Sequence, residues 1–389
     1  MEEPTRKENT CFISYDILRI IFQYLDARNL ASAAMVCRSW LEAANDEKLT
    51  RGPYCLQLYT QHDFLCCIKN IRIKPSVGFF FIPTGIRYEI EEHVETFLPE
   101  LLPKRCEIIM LCSRYVILEE VMCQQYPHMV CAFLPQVPNV KVKSFELSEN
   151  CNRNIWQTVE YQEIINTIIN NEISTSNHET STCFMLFCNN FSYNLYSYCD
   201  TAIGIVTAKR WASAIQQSIK NKAVSVWGGV VENIHAQRAR TGSCKAHRVE
   251  PFEKSHTSCV AVLITGLIRT WSTILERKCN TKKRIEARLM LFKDKVKLKK
   301  HSIGFIFTNK MRTGPIYNDA PYNEESMIFK RLFPKVPLVG CSDYIGEFGK
   351  TTAIDEASEE RNSKKKQNCK KSKSWYKESS TVFLILTYD

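Results

Sequence analysis

The chain has 389 residues, of which 44% are hydrophobic and 24% charged, and its formal net charge is +11. This composition is typical of a globular protein with length for two or three domains, and it excludes a fibrous or wholly disordered chain. No apolar run approaches the ~18 residues of a membrane helix, and residues 1–9 lack the apolar core of an export signal, so we expect no membrane association.

The 18 cysteines are interpreted as reduced thiols, because no export signal precedes them. No Cys-x-x-Cys spacing occurs and the eight histidines are scattered, so we predict no metal site and no cofactor. Cys188 and Cys341 lie near predicted strand ends without an evident histidine or acidic partner. We therefore predict no catalytic residue and a protein that is not an enzyme.

The positive charge is concentrated in two segments. Residues 276–301 hold eleven Lys/Arg against three acids, a net of +8, and residues 361–378 hold eight against one, a net of +7. These sum to +15, which leaves −4 for the rest of the chain. A nucleic-acid-binding fold would show a broader basic face, so the distribution argues against a nucleic-acid partner.

The first predicted elements form a helical unit over residues 10–50. Apolar side chains at helical spacing predict a helix over residues 16–25, which Ser14 can cap, and Asn29 is expected to cap a second helix. A third segment carries Trp40. The first helix is apolar around most of its circumference, and forty residues bury too little surface by themselves. Something else is expected to cover it.

This unit resembles an F-box, the module by which substrate receptors dock on the adaptor Skp1 of a cullin-RING ubiquitin ligase. The family usually opens with Leu-Pro, where this chain has Ile13-Ser14. The resemblance implies binding to Skp1 and, through it, to cullin-1 and the RING subunit. It implies that the Skp1-binding residues are Ile13, Ile17, Leu18, Ile21, Phe22, Leu25, Leu30, Val36, Cys37 and Trp40. The alternative is a small helical subdomain that packs only on its own chain.

Beyond a boundary near Gly52-Pro53, apolar strands alternate with helices. A helix, a short basic or proline-bearing turn and a strand recur in that order, with the strands at 107–112, 223–227 and 336–340. Such alternation predicts a mixed α/β region with helices packed on β-sheet, although the irregular period does not indicate a repeat protein. The predicted strands are residues 54–59, 64–74, 77–82, 107–112, 128–134, 140–147, 183–187, 223–227, 257–265, 302–308, 336–340 and 380–388. Residues 274–300 are predicted to form one or two helices.

The α/β region resembles a FIST domain. The resemblance is carried by Gly-Phe-Ile-Phe at 304–307, Phe-Lys-Arg-Leu-Phe-Pro-Lys-Val-Pro-Leu-Val-Gly at 329–340 and Gly-Glu-Phe-Gly at 346–349. It implies a FIST N-terminal-like region over residues 54–256 and a FIST C-terminal-like domain over 257–389, with a basic insertion at 359–378. The expected fold is a small all-helical F-box followed by a larger α/β region, as in the F-box proteins that carry a FIST domain.

Two glycine-containing segments follow predicted strands in this region. Glycines at a strand end let the backbone approach a ligand closely, and a glutamate among them would accept hydrogen bonds from an amine or guanidinium. FIST domains of bacterial signalling proteins resemble small-ligand sensors, so a pocket is implied here. The candidate ligand or substrate pocket comprises Gly228, Gly229, Gly340, Gly346, Glu347 and Gly349. Plain turns would explain the same glycines.

A lysine cluster precedes the last predicted strand. Its composition resembles a nuclear import signal, and a flexible solvated insertion is the alternative. The cluster comprises Lys364, Lys365, Lys366, Lys370, Lys371 and Lys373. The expected location is therefore both cytoplasmic and nuclear.

The F-box resemblance predicts a non-catalytic substrate receptor of a Skp1–cullin–F-box ubiquitin ligase. Such a receptor presents target proteins for ubiquitination and proteasomal degradation. The alternative is a signal-transduction protein that senses a small ligand at residues 340–349, and a nucleic-acid binder is the least favoured.

Overall fold

The computed structural model describes residues 13–59, 61–84, 98, 100–123, 129–147, 154–173, 181–189, 201–219, 224–238, 259–312, 323–343, 346–350 and 374–389. A small N-terminal helical region is followed by a larger mixed α/β region, as the sequence predicts. Within the described residues no helix is both long and apolar enough to cross a membrane.

Eight α-helices lie in the described ranges: α1 Tyr15–Phe22, α2 Ala27–Ala33, α3 Arg38–Thr50, α4 Gln61–Lys69, α5 Val159–Ile173, α6 Thr201–Ser218, α7 Lys282–Lys293 and α8 Glu324–Leu332. The strands are β1 Tyr54–Leu58, β2 Pro75–Pro83, β3 Glu107–Ser113, β4 Tyr115–Leu118, β5 Val121–Cys123, β6 Met129–Pro135, β7 Val140–Leu147, β8 Ser181–Asn189, β9 Val224–Val231, β10 Asn233–Gln237, β11 Cys259–Gly266, β12 Arg269–Leu275, β13 His301–Asn309, β14 Leu338–Asp343, β15 Gly346–Lys350, β16 Tyr376–Glu378 and β17 Thr381–Tyr388.

The strands form three sheets of the same design. The first has the order β1-β6-β2-β3-β10, the second β7-β11-β8-β9-β15-β16 and the third β12-β17-β13-β14-β4-β5. In each sheet the third and fourth strands are parallel, as β2 and β3, β8 and β9, or β13 and β14. All other neighbours are antiparallel. The body is therefore built from three copies of one strand arrangement.

The chain order shows that these copies are consecutive repeats, spanning residues 54–135, 140–266 and 269–388. Each begins with a strand and a helix, namely β1–α4, β7–α5 or β12–α7. The parallel pair follows, joined by α6 in the second repeat and by α8 in the third; most of this connection in the first repeat lies outside the described residues. The irregular period that hid the repeat in the sequence reflects connections of unequal length.

Each repeat places strands in a neighbouring sheet: β4 and β5 of the first repeat lie in the third sheet, β10 of the second in the first sheet, and β15 and β16 of the third in the second sheet. Strand β4 of the first repeat pairs with β14 in the third sheet, β10 of the second pairs with β3 in the first, and β15 of the third pairs with β9 in the second. The exchange is cyclic, so it closes the three repeats into one ring. Since two of the sheets combine strands from both sides of residue 256, residues 54–256 and 257–389 do not form separate sheets.

The inner faces of the three sheets share one apolar core. Phe79 of β2, Trp227 of β9 and Phe305 of β13 meet there, with ring centroids 5.5 Å apart for Phe79–Phe305 and 5.2 Å apart for Trp227–Phe305. The outer faces are covered by helices: α4 on the first sheet, α5 and α6 on the second, and α7 and α8 on the third. Every sheet is thus buried on both faces, which explains its nearly continuous apolar strands.

Three predictions of local structure need correction. Residues 64–74, predicted as a strand, fall largely in helix α4, because a short apolar run does not distinguish a buried strand from a buried helix. The first helix ends at Phe22, not at residue 25. The stretch 274–300 holds the end of strand β12 and a single helix, α7. Residues 89–101, which the sequence also predicts as a helix, lie mostly outside the described residues.

Candidate functional site

Helices α1–α3 enclose an apolar interior of their own. Leu18, Phe22 and Leu30 are each 1% exposed, and the aromatic rings of Phe22 and Trp40 meet edge to face at 5.4 Å. Leu25 and Trp40 are partly buried against the same cluster. Leu18, Phe22 and Leu30 were expected to contact an adaptor directly. The structure buries them between α1, α2 and α3, where their packing holds the three short helices together.

The helix starts are fixed by side-chain caps. The Ser14 hydroxyl accepts a hydrogen bond from the Ile17 backbone N–H at 3.4 Å, as the sequence indicates. At α2 the cap is Asp26, whose carboxylate accepts from the backbone N–H groups of Arg28 and Asn29, both at 2.8 Å. Asn29 lies inside the first turn of α2 and is not its cap. A negative charge at this position also stabilises the helix, because it lies beside the positive end of the helix dipole.

The outward side of α1 carries a row of exposed apolar side chains. Ile17 is 50% exposed, Ile20 57% and Tyr24 83%, and Ile13 and Ile21 lie on the same exposed side. Of the remaining predicted residues, Val36 and Cys37 are also exposed, near the start of α3. Ile20, Tyr24, Met35 and Leu41 are exposed as well, and the predicted Skp1-binding set omits them.

Helical spacing places Ile20 and Tyr24 on the same side as Ile17, three and seven residues after it, but the F-box motif does not include them. Met35 lies in a turn, where helical periodicity gives no signal. A run of exposed apolar side chains on one small domain is the usual mark of a binding surface. We call Ile13, Ile17, Ile20, Ile21 and Tyr24 the α1 face.

The helical unit is anchored to the α/β body through Arg51. Its guanidinium forms a buried ion pair with Glu47 at 2.8 Å. It donates to the carbonyls of Phe22 and Leu25 at the end of α1, each at 2.8 Å, and to the carbonyl of Arg72 in the body. One side chain therefore satisfies orphan carbonyls of a helix end and ties that end to the body.

Further hydrogen bonds surround this anchor. The backbone N–H of Ala27 donates to the carbonyl of Ile71 at 2.9 Å, and the guanidinium of Arg28 donates to the carbonyl of Leu101 at 2.8 Å. On the other side, the Lys300 ammonium donates to the carbonyl of Leu49 at 3.1 Å. The helical unit is thus held on two sides, with the α1 face left exposed.

The glycines of the candidate pocket lie within strands, not at turns. Gly228 and Gly229 belong to β9, Gly340 to β14, and Gly346 and Gly349 to β15. The prediction of a strand-end loop at 340–349 is therefore wrong: two strands occupy it, separated by residues 344–345, which lie outside the described residues. The structure does bring Gly229 beside Glu347, as register partners of β9 and β15.

Close packing explains the glycines at two of these positions. A Cβ added to Gly340 would lie 1.8 Å from the carbonyl oxygen of Ile306 on the neighbouring parallel strand. Gly228 has a φ of +140° and its added Cβ would lie 2.0 Å from the carbonyl oxygen of Leu186. Glycine inside a strand marks such close backbone approach, here between strands of the sheet.

Glu347 is fully buried and its carboxylate is bonded by the chain itself. One oxygen accepts from the Asn309 side-chain amide at 2.8 Å, and the other accepts from the Ser380 backbone N–H at 3.0 Å and hydroxyl at 2.8 Å. Burial raises the pKa of Glu347 from 4.5 to about 7, and the hydrogen bonds from Asn309 and Ser380 offset part of this rise. The residue links the ends of β13, β15 and β17.

The other predictions about sites concern residues with little or no described structure. The lysine cluster at 364–373 lies outside the described residues, and only residues 374–378 of the basic insertion are described; Tyr376–Glu378 of it forms β16. Among the described residues there is no group of three or more His, Cys, Asp or Glu side chains that could hold a metal ion.

Comparison with known proteins defines the class of the helical unit. A family model described as F-box-like matches residues 15–56, which cover α1–α3 and reach into β1. The chain therefore contains an F-box-like domain at its N-terminal end, which supports a general role as an adaptor in ubiquitin ligation. No curated protein matches the chain.

One solved structure found to be similar is that of cyanuric acid hydrolase from A. caulinodans. The two chains are 7% identical, the match covers 87% of this chain and 99% of that one, and the TM-score is 0.41. A similarity of this degree carries no argument about this chain.

Proposed function

We propose that the chain is the substrate-recognition subunit of a Skp1–cullin–F-box ubiquitin ligase. The F-box-like domain binds Skp1, and through it cullin-1 and the RING subunit. The α/β body presents target proteins for ubiquitination and degradation by the proteasome. The chain contributes proximity, and other subunits carry out the transfer chemistry.

The α1 face is the observation that carries this proposal. The domain already has a closed interior around Leu18, Phe22 and Leu30, so its own folding does not need the exposed residues of α1. A stable protein interface buries on the order of 1,600 Å² in total, and a few large apolar side chains dominate its energy. Ile17, Ile20 and Ile21 supply such anchors on one side of α1, and Tyr24 follows just after the end of the helix.

The anchor at Arg51 supports a receptor that holds its target in a fixed position. A flexible tether lets a bound target sample many positions, whereas a hydrogen-bonded joint restricts it to few. Effective concentration in an intramolecular step depends on such positioning. The bonds of Arg51, Ala27 and Arg28 to the body favour transfer to a limited set of target lysines.

We further propose that residues 54–256 and 257–389 are FIST-like and that the whole chain resembles F-box only protein twenty-two. The quoted motifs at 304–307 and 329–340 support this relationship. The lysine cluster at 364–373 supports a nuclear as well as a cytoplasmic location. Fluorescence imaging of a tagged chain tests the location, since deletion of residues 359–373 should abolish nuclear accumulation.

The test of the proposed function is reconstitution. The purified full chain is mixed with Skp1 and analysed by size-exclusion chromatography, and cullin-1, the RING subunit, E1, E2 and ubiquitin are then added. The proposal predicts a stoichiometric complex with Skp1 and ubiquitin transfer that requires the chain. A chain that elutes separately from Skp1 refutes the proposal.

A further inference from the structure

Helix α7 has an exposed side that carries both basic and apolar residues. Ile285, Leu289 and Phe292 point into the body and are buried. The opposite side presents Lys283, Ala287, Met290 and Leu291, at a spacing of four, seven and eight residues that places them in one row along the helix. Met290 is 51% and Leu291 55% exposed. We call this row the α7 ridge.

The charge around the ridge is strongly positive. All of residues 276–301 are described, and this stretch has a net charge of +8. Of its three acids, Glu276 pairs with Lys278 and Glu286 with Arg331, while Asp294 ends the helix. Lys283, Lys293 and Lys297 are exposed to solvent. The positive potential therefore extends along the ridge and beyond its end.

Only part of this charge makes contacts within the chain: Lys282 lies 4.0 Å from Glu324, and the Arg284 guanidinium donates to the carbonyl of Lys278 at 3.0 Å. The first turn of the helix contains Lys282, Lys283 and Arg284 and no acid, and Thr281 makes no side-chain cap hydrogen bond. Cations beside the positive end of a helix dipole are destabilising, and acids are favoured there. Exposure of the apolar side chains of Met290 and Leu291 to water likewise does not stabilise the helix. Both features oppose local stability, so a binding role accounts for them better than a folding role does.

We propose that the α7 ridge and the lysines beside it bind an acidic peptide segment that carries large apolar side chains. Acidic residues of the segment pair with Lys283, Lys293 and Lys297, and its apolar residues cover Met290 and Leu291. The proposal deepens the proposed function and rests on it, since the segment then belongs to the target protein. The surface lies on the third sheet, whose strand β13 begins beside the F-box-like domain at Leu49 and Lys300.

The apolar residues distinguish a peptide from a nucleic acid. Single-stranded nucleic acids are bound by aromatic side chains that stack on bases within a basic groove. In residues 276–301 the aromatic side chain is Phe292, which is buried, and the exposed large side chains are aliphatic. Methionine adapts its shape to varied apolar partners and is common on peptide-binding surfaces.

The test measures the binding of two labelled peptides to the full chain by fluorescence anisotropy. One peptide has twenty residues and repeats Glu-Asp-Leu-Glu-Phe; the other replaces its Leu and Phe by Ser and keeps the same charge. The proposal predicts saturable binding of the first, at least tenfold weaker in the variant Lys283→Glu/Lys293→Glu and at least threefold weaker in Met290→Ser/Leu291→Ser. The Ser-containing peptide should bind at least threefold more weakly than the first.

The matched control is Lys104→Glu/Lys141→Glu, which makes the same change in net charge at exposed sites outside α7 and should leave the affinity within twofold. Absence of binding, equal loss in the control, or tighter binding of a twenty-nucleotide single strand overturns the proposal. Each variant is also tested for its complex with Skp1. If peptide binding fails while Skp1 still binds, only this inference is lost; if Skp1 does not bind, the proposed function is lost as well.

Discussion

Arg51 and Glu47 form an ion pair with a separation of 2.8 Å, and each side chain is only 7% exposed. Glu47 lies in the last turn of α3 and Arg51 directly follows the helix, where the F-box-like domain meets the α/β body. Removal of one partner from a buried ion pair leaves a charge without compensation. Removal of Arg51 also removes the guanidinium that donates hydrogen bonds to the carbonyls of Phe22 and Leu25. The joint therefore depends on Arg51 more than on any single apolar contact.

Arg51→Ala should destabilise the F-box-like domain by about 3–5 kcal/mol, because Glu47 then stays buried with only the half-exposed Arg72 guanidinium, 3.9 Å away, as its ionic partner. Helix α3 offers a matched control, since Arg38 and Glu42 form a second pair with the same spacing, 92% and 58% exposed. Arg38→Ala should cost less than about 1 kcal/mol, as exposed pairs do. Urea unfolding of both variants measures the difference. Equal losses would show that the buried joint has no special role.

Phe22→Ala and Ile17→Asp should separate folding from binding on the same helix. Phe22 is buried against Trp40, so its truncation should reduce stability by about 3–5 kcal/mol through the cavity left behind. Ile17 is half exposed, so its replacement should change stability by less than about 0.5 kcal/mol. Circular dichroism during thermal unfolding tests both. A large loss of stability in Ile17→Asp would mean that the α1 face is needed for folding.

Glu347 should make stability fall as the pH rises. Its pKa is raised from 4.5 to about 7 by burial. Between these values the folded state keeps a proton that the unfolded state has lost, so each step up in pH favours unfolding, and above about 7 the full cost is present. The cost between pH 5 and 8 is about 2–3 kcal/mol.

The variant Glu347→Gln should lack this contribution, because its side chain does not ionise. Urea unfolding at pH 5 and pH 8 measures the free energy of unfolding of the chain, of this variant and of the exposed control Glu42→Gln. The free energy of unfolding of the control should change between pH 5 and pH 8 by the same amount as that of the original chain. The same slope in Glu347→Gln would contradict the assignment of the raised pKa to this carboxyl group.

Overpacking costs about 1–3 kcal/mol where side chains can move aside. Gly340→Ala should destabilise the body by more than about 3 kcal/mol, because its added Cβ meets backbone that cannot move aside. The added Cβ meets the carbonyl oxygen of Ile306, which belongs to the backbone of β13. Gly304→Ala is the control, since its nearest neighbours are side-chain atoms of Phe329 and Leu338 at 3.0–3.2 Å, and it should cost less. Thermal unfolding compares them. A stable Gly340→Ala would reopen the ligand-pocket interpretation of this segment.

The helical domain was accessible from the sequence because its signals are local. Helical spacing, the Ser14 cap and the position of Trp40 all lie within about thirty residues. The sequence did not separate buried from exposed residues on α1, because a helix apolar on most sides gives no single stripe. It therefore assigned Leu18 and Phe22 to the same surface as Ile17.

The ring of three repeats was not accessible, because its defining feature is the pairing of distant strands. Strand β4 lies more than 200 residues from its partner β14, and no local pattern records such a pairing. The strand-end loop predicted at 340–349 was wrong for a related reason. A glycine inside a strand and a glycine after a strand look alike in sequence, and only the carbonyl of Ile306 beside Gly340 distinguishes them.

If the α1 face binds an adaptor, the affinity of the chain for Skp1 depends on the exposed apolar side chains of this face. Isothermal titration of Skp1 into the full chain is compared with titration into Ile17→Asp/Ile21→Asp and into Val159→Asp, a control at an exposed apolar residue of α5. We expect the chain and the control to bind Skp1 tightly. The double variant should lose at least about a hundredfold in affinity, since two central apolar anchors are replaced by charges. Unchanged affinity in the double variant would contradict this role of the α1 face.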